Sequence, residues 1–158
     1  AAGKYPVETV EQMHQIALEA ERAEDVTIET DFHNRLFGRI DQSIAMGALF
    51  TAHHLGCKAI IALTESGSTA LWMSRHNNKV PIYALTSQRS SERRMTLFRN
   101  VQPILMPPQM ERDAALAQAE AILVGKGVLR PGDTYAITCG EPMGHPGGTN
   151  MLKVCQVL

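Results

Sequence analysis

The chain has 158 residues, of which 44% are hydrophobic and 20% charged, and this composition is typical of one globular domain rather than of a disordered segment. Its formal net charge of -1 provides no basic field for nucleic acid or an anionic membrane surface, so we expect neither as a partner. The three cysteines, Cys57, Cys139 and Cys155, lack the spacing of a zinc site or a disulfide framework, which favours buried, reduced thiols in a cytoplasmic protein.

Residues 5–24 predict an amphipathic helix, because Val7, Val10 and Met13 recur at helical spacing and Pro6 suits a first turn. The polar stretch Asp25–Asn34 that follows predicts a linker or an extended crossing segment. Helical patterns then alternate with short apolar runs suited to buried strands. The predicted order is helix 41–55, strand 58–63, helix 67–76, strand 80–85, helix 90–99, strand 101–106, helix 111–124, strand 133–138 and strand 151–158.

This alternation predicts an α/β fold with a mostly parallel sheet covered by helices on both faces. The last two predicted strands are separated only by residues 139–150, which leave no room for a crossover helix. We therefore expect a five-stranded mixed sheet with the last strand antiparallel to the fourth. The last strand, 151–158, is also expected at a sheet edge, where it could pair with a second copy of the chain.

The most informative segment follows the first predicted strand and opens a helix. A turn in this position exposes backbone N–H groups and the positive end of a helix, at the edge where open α/β sheets bind ligands. Its hydroxyls and glycine suit a phosphate group, although Ser or Thr before a helix is also common for capping alone. The candidate phosphate-binding residues are Thr64, Glu65, Ser66, Gly67, Ser68 and Thr69.

A second loop, Gly140–Asn150, is rich in glycine and proline and could close over the same site, because the first and fourth strands are expected to be neighbours. An ordinary connection between antiparallel strands explains it equally well. The candidate contacts in this loop are His145, Gly147, Gly148 and Thr149.

The remaining polar patterns give weaker evidence of a functional site. The arginines 89, 93, 94 and 99 read as a solvated face, with any role in anion binding confined to Arg89 or Arg93. The adjacent His53 and His54 lack the i, i+4 spacing of a metal pair. We predict no catalytic and no metal-binding residues, because no nucleophile–His–acid set, paired carboxylates or metal cage is evident in the sequence.

Six segments, distributed over essentially the whole chain, carry a specific resemblance in their sequence and order. These segments are Ala1–Val10, Phe32–Phe37, Ala62–Ala70, Val80–Thr86, Leu97–Pro103 and Gly148–Asn150. Together they resemble the pyruvate kinase family. The first is similar to the last helix of the catalytic barrel, and the later ones to the C-terminal domain, including its effector phosphate loop. The resemblance implies a three-layer α/β/α domain with a five-stranded mixed sheet, the last strand antiparallel.

The resemblance also implies a division of the chain and a role for each part. Residues 1–24 would be the terminal helix segment of the barrel, and residues 25–158 a regulatory C-terminal domain that binds a sugar phosphate and forms a tetramer interface. The whole enzyme would transfer phosphoryl from phosphoenolpyruvate to ADP with magnesium and potassium. Its catalytic residues would lie in the barrel, so the chain itself would need no cofactor and would not be catalytic.

Two departures from the family bear on the effector. Glu65 stands where several bisphosphate-activated members carry Lys, and Ala115 stands about where they carry an Arg for the second phosphate. Because a carboxylate repels a phosphate, we expect a sugar monophosphate, such as glucose 6-phosphate or ribose 5-phosphate, or a nucleotide monophosphate, instead of fructose 1,6-bisphosphate. The alternatives are a stand-alone sugar-phosphate-binding module and a purely structural oligomerisation domain.

Overall fold

The computed structural model describes residues 2–23 and 36–158. The elements in chain order are α1 Pro6–Ala23, α2 Ile40–His54, β1 Ala59–Leu63, α3 Ser68–Ser74, β2 Ile82–Thr86, α4 Arg89–Met95, β3 Val101–Leu105, α5 Arg112–Gly125, β4 Thr134–Gly140 and β5 Thr149–Gln156. The predicted linker Asp25–Asn34, and residues 32–35 of the segment similar to the family's entry into the C-terminal domain, lie outside the described residues.

The five strands form one sheet in the order β3-β2-β1-β4-β5. β1 pairs in parallel with both β2 and β4, and β2 pairs in parallel with β3. β4 and β5 pair antiparallel, with a register shift at Gly140. The mixed sheet, the antiparallel last strand, the edge position of that strand and the neighbouring first and fourth strands are all confirmed.

Every residue of β1 and β2 is buried, because side chains that alternate along a strand point into an apolar core on each face of the sheet. In β1, Ile60 and Ala62 pack in the core beneath α2, α3 and α4. Ile61 and Leu63 pack on the opposite face, in the core beneath α5. The predicted three-layer α/β/α arrangement follows from these two cores.

Some element ends and one cysteine differ from the predictions. Gly67 has a φ of 78°, so α3 begins one residue later, at Ser68. The α4 helix ends at Met95, four residues before the predicted end. Cys57 and Cys139 are buried, and burial raises the pKa of both thiols, whereas Cys155 on the edge strand is only partly buried.

α1 is a helix as predicted, and its apolar residues are exposed in the described structure. Val7, Val10, Met13 and Ile16 recur at spacings of three residues and so lie along one side of the helix. An apolar side of this kind normally packs against another surface.

The end of α5 shows which glycine stops the helix. Gly125 is the last helical residue, while Gly127 has a φ of 71°. The N–H of Gly127 donates to the carbonyl of Val124 at 2.9 Å, and the N–H of Val128 donates to that of Leu123 at 3.0 Å. These two bonds form a Schellman motif, which requires the left-handed conformation at residue 127.

We expect alanine to have opposite effects at the two glycines. A Cβ would meet nothing within 4 Å at either position, so only backbone conformation differs between them. Gly127→Ala should lower the free energy of unfolding by about 1–2 kcal/mol because of its positive φ, whereas Gly125→Ala should raise it by up to about 1 kcal/mol. Urea unfolding of both variants measures this, and equal effects would contradict the assigned helix end.

Candidate ligand site at the carboxyl edge of the sheet

The turn that follows β1 is closed by its own side chains. The Gly67 N–H donates to Thr64 Oγ1 at 3.0 Å, and the Ser68 N–H donates to Ser66 Oγ at 3.4 Å. Ser66 Oγ donates in turn to Ser68 Oγ at 3.3 Å. The bonds that involve Ser66 and Ser68 are long, so these groups can be exchanged for ligand oxygens at little cost.

The first turn of α3 is bonded directly to the start of β5. Thr69 Oγ1 and Thr149 Oγ1 lie 2.7 Å apart, and the two residues are 0% and 6% exposed. Because buried hydroxyls need a partner, this bond fixes the β4–β5 loop against α3. Both threonines were predicted as ligand contacts, and the structure buries both side chains almost completely.

Glu65 is held by residues at the end of β2 and the start of α4. The Ser87 hydroxyl donates to Glu65 Oε2 at 2.9 Å, and the Ser91 hydroxyl donates to the Glu65 carbonyl at 2.7 Å. The carboxylate therefore has a defined position at the mouth of the sheet and accepts a hydrogen bond there.

α4 supplies an arginine to the turn, though not one of the two favoured by the sequence. Arg94 Nη2 donates to the carbonyl of Ser66, while Arg89 pairs with Glu92 on its own helix at 3.5 Å. Arg94 lies three residues after Ser91, which also contacts the turn, so both are on one side of α4. That shared spacing is the signal that could have identified Arg94.

The β4–β5 loop is pinned at its base and folds tightly on itself. Asn150 accepts from the Glu141 N–H at 2.9 Å and donates to the Glu141 carbonyl at 2.7 Å. A Cβ on Gly140 would lie 2.8 Å from the carbonyl oxygen of Gly148, so residue 140 must be glycine for the chain to cross here.

A small cavity of about 40 Å³ lies where these segments meet. It has room for about three water-sized groups. Its walls come from the carboxyl ends of β1, β2, β3 and β4 and from the β4–β5 loop. Of the predicted site residues, those that line it are Thr64, Glu65, His145, Gly147 and Thr149, and those that do not are Ser66, Gly67, Ser68, Thr69 and Gly148.

The charges around the cavity are few. Glu65 and His145 are the titratable side chains among its lining residues. Ala115, which stands about where the resemblance places the arginine of bisphosphate-activated members, is fully buried on the side of α5 that packs against the sheet. The lining therefore contains a carboxylate and no arginine or lysine.

Sequence reasoning missed a second arginine near this site. Arg39, just before α2, donates from Nε and Nη2 to the two carboxylate oxygens of Asp41, at 2.9 and 2.7 Å. These bonds and the charge of Asp41 raise the pKa of the guanidinium. A Cβ on Gly147 would lie 3.6 Å from Arg39 Nη2, so the guanidinium packs against the β4–β5 loop.

The fold defines an open α/β domain, and the cavity lies at the carboxyl ends of its parallel strands, where domains of this class commonly place ligand sites. Residues 42–155 match the family described as the pyruvate kinase alpha/beta domain. The chain belongs to the pyruvate kinase family and corresponds to its C-terminal α/β domain.

Curated relatives agree with this assignment. Pyruvate kinase of Buchnera aphidicola subsp. Baizongia pistaciae is 37% identical over 158 residues, which are 99% of this chain and 33% of the relative. Pyruvate kinase II of Salmonella typhimurium is 35% identical over the same shares. Pyruvate kinase of Staphylococcus aureus (strain USA300) is 37% identical over 155 residues, 98% of this chain and 26% of the relative. The chain thus spans a third or less of the length of these relatives.

The described residues contain neither a candidate metal cluster nor a candidate membrane-spanning helix. No group of three or more His, Cys, Asp or Glu side chains among them could hold a metal ion. None of their helices combines the length and apolar character needed to cross a membrane.

The Thr69–Thr149 bond can be tested by a double-mutant cycle. Thr69→Val should lower the free energy of unfolding by about 1–3 kcal/mol, because it leaves the buried Thr149 hydroxyl without a partner. The double variant Thr69→Val/Thr149→Val should recover part of that loss, since both partners become apolar. Urea unfolding of the single and double variants measures the coupling, and strictly additive losses would contradict it.

Proposed function

We propose that this domain binds a sugar monophosphate as an allosteric effector, with glucose 6-phosphate or ribose 5-phosphate favoured. The observation that carries the proposal is the cavity itself, because the turn after β1 and the β4–β5 loop both line it. The Thr69–Thr149 bond joins these two segments, so a ligand that touches one also affects the other.

The turn offers the chemistry that a phosphate needs. Ser66 and Ser68 carry hydroxyls and N–H groups in long mutual bonds that phosphate oxygens could replace. They precede the positive end of α3, which favours an anion. The sugar would then extend beneath Gly147–Thr149, towards the cavity.

A single phosphate fits the charges better than two. The Glu65 carboxylate lines the cavity, and a second phosphate placed there would meet its negative charge at close range. The buried Ala115 supplies no compensating cation. Sugar hydroxyls, in contrast, can donate to the Glu65 carboxylate beside Ser87.

The whole protein is proposed to be a pyruvate kinase that transfers phosphoryl from phosphoenolpyruvate to ADP in glycolysis, in the cytoplasm. Magnesium and potassium would act in its catalytic barrel, with residues 25–158 as the regulatory domain. The exposed apolar side of α1 supports a place for residues 1–24 against that barrel.

Ligand binding is tested with a thermal-shift titration of the full chain against glucose 6-phosphate, ribose 5-phosphate, AMP and fructose 1,6-bisphosphate. A ligand at 100 times its Kd should stabilise the fold by about 2.7 kcal/mol. We expect a shift with a monophosphate and a weaker one with the bisphosphate. Tight bisphosphate binding without monophosphate binding would contradict the selectivity, and no shift with any ligand would favour a structural domain.

Ser68→Asp should abolish this shift without loss of stability. Its carboxylate would repel the phosphate, while an acidic residue in the first turn of α3 is favourable for the helix itself. Ser90→Asp adds the same charge at an exposed position of α4 and serves as the control. Retained binding in Ser68→Asp would show that the phosphate lies elsewhere.

We also propose that the domain forms a homo-oligomer through β5. This strand is the outer strand of the sheet beside β4, so one side of its backbone is available for pairing. Val154 on β5 is 40% exposed, which suits an interface.

The oligomer is tested by sedimentation. The wild-type chain should sediment as a dimer at high concentration, and Val154→Lys should shift it towards monomer because edge lysines oppose pairing. Val124→Lys, on α5 and similarly exposed at 38%, is the matched control. A wild-type monomer, or equal effects of the two lysines, would contradict a β5 interface.

A further inference from the structure

Arg39 is oriented by a buried partner. Asp41 is 3% exposed, and its Oδ1 also accepts the N–H of Gln42 at 3.0 Å, so the carboxylate is fixed at the start of α2. The Arg39 side chain is 55% exposed although two of its N–H groups are bonded to Asp41. An arginine has five N–H donors, so three remain for another ligand.

The guanidinium lies against the loop that closes the candidate site. A Cβ added at Gly147 would lie 3.6 Å from Arg39 Nη2. Gly147 itself has a φ of 72° and lines the cavity. Two residues later, Thr149 is bonded to Thr69. The β4–β5 turn therefore has the cavity on one side and Arg39 beside it.

A phosphate bound at this site would need a cation close to it. A phosphate near the turn after β1 would lie close to the Glu65 carboxylate, and the cavity lining contains no lysine or arginine. Two other guanidinium groups contact these segments within the described part of the chain. Arg94 is bonded to the carbonyl of Ser66, and Arg112 is bonded to the carboxylates of Asp113 and Glu141. Arg39 is the oriented cation that packs beside Gly147.

Asp41 determines which N–H donors of Arg39 remain available to a ligand. The ion pair has little net charge at long range, so its contribution to a ligand comes from fixed donors at short range. A guanidinium fork held on one edge by a carboxylate presents its other edge in a set direction, which suits phosphate oxygens. A lysine in the same place would pair with Asp41, but it has no planar group with a second edge of N–H donors.

We propose that Arg39 is a phosphate-binding residue of the effector site and that Asp41 is its positioning residue. The free edge of the guanidinium donates to the phosphate group at the turn after β1, while the sugar extends beneath Gly147–Thr149. This inference rests on the proposed effector function. It explains how a site with Glu65 in its wall could bind an anion, and it assigns the cationic contact to the residue that precedes α2.

The test compares three variants with the wild-type full chain by isothermal titration calorimetry. Arg39→Lys keeps an ion pair with Asp41, and Arg39→Gln/Asp41→Asn keeps a neutral hydrogen-bonded pair, so at least one should remain folded. Arg130→Lys, at an exposed position on the opposite edge of the sheet, is the control. Glucose 6-phosphate is titrated directly, and inorganic phosphate is titrated as its competitor.

We expect Arg39→Lys and the double variant to bind glucose 6-phosphate and inorganic phosphate at least tenfold more weakly, with unchanged melting temperatures, and Arg130→Lys to bind like wild type. Wild-type affinity in a folded Arg39 variant would overturn the inference and leave the effector function intact. Weaker glucose 6-phosphate binding with unchanged phosphate competition would also overturn it, since Arg39 would then contact the sugar. If the wild-type chain binds neither ligand, the proposed function fails and this inference with it.

Discussion

The parallel pairing of β1 with both β2 and β4 is the constraint on which the rest of the structure depends. Parallel neighbours bring their carboxyl ends to one edge, and β1 is buried on both faces, so its chain must turn polar where it leaves the sheet. Glu65 lies in that turn and meets Ser87 from the end of β2. The site is therefore a consequence of strand order.

The hydrogen bond between Thr69 and Thr149 attaches the β4–β5 loop to the start of α3, beside the candidate site. It joins residues 80 positions apart and fixes the β4–β5 loop over the edge of the sheet. Because the bond is buried, it is protected from competition by water. A loop rich in glycine and proline thereby gains one defined position beside α3.

Side chains of opposite charge lie at the carboxyl edge of the sheet. Glu65 brings a carboxylate into the cavity wall. Arg39, just before α2, contacts the β4–β5 loop, and Arg94 of α4 contacts the turn after β1. Such a distribution would suit one anionic group near the arginines and hydroxyl groups near Glu65. It is the physical basis of our proposal that the ligand has one phosphate and one polyol end.

The sequence by itself determined the layer architecture, the antiparallel last strand and the location of the turn at Thr64–Thr69, because these depend on local apolar patterns and on loop length. It also indicated that the loop with His145 and Gly147 could fold over this turn, because the first and fourth strands were expected to be neighbours, and both residues line the same cavity as Glu65. The burial of Thr69 and Thr149, and the contacts of Arg94 and Arg39, were decided only by the tertiary structure. They depend on which side chains from distant segments of the chain approach one another. The periodicity of the sequence predicts helices and strands, but it does not predict those contacts.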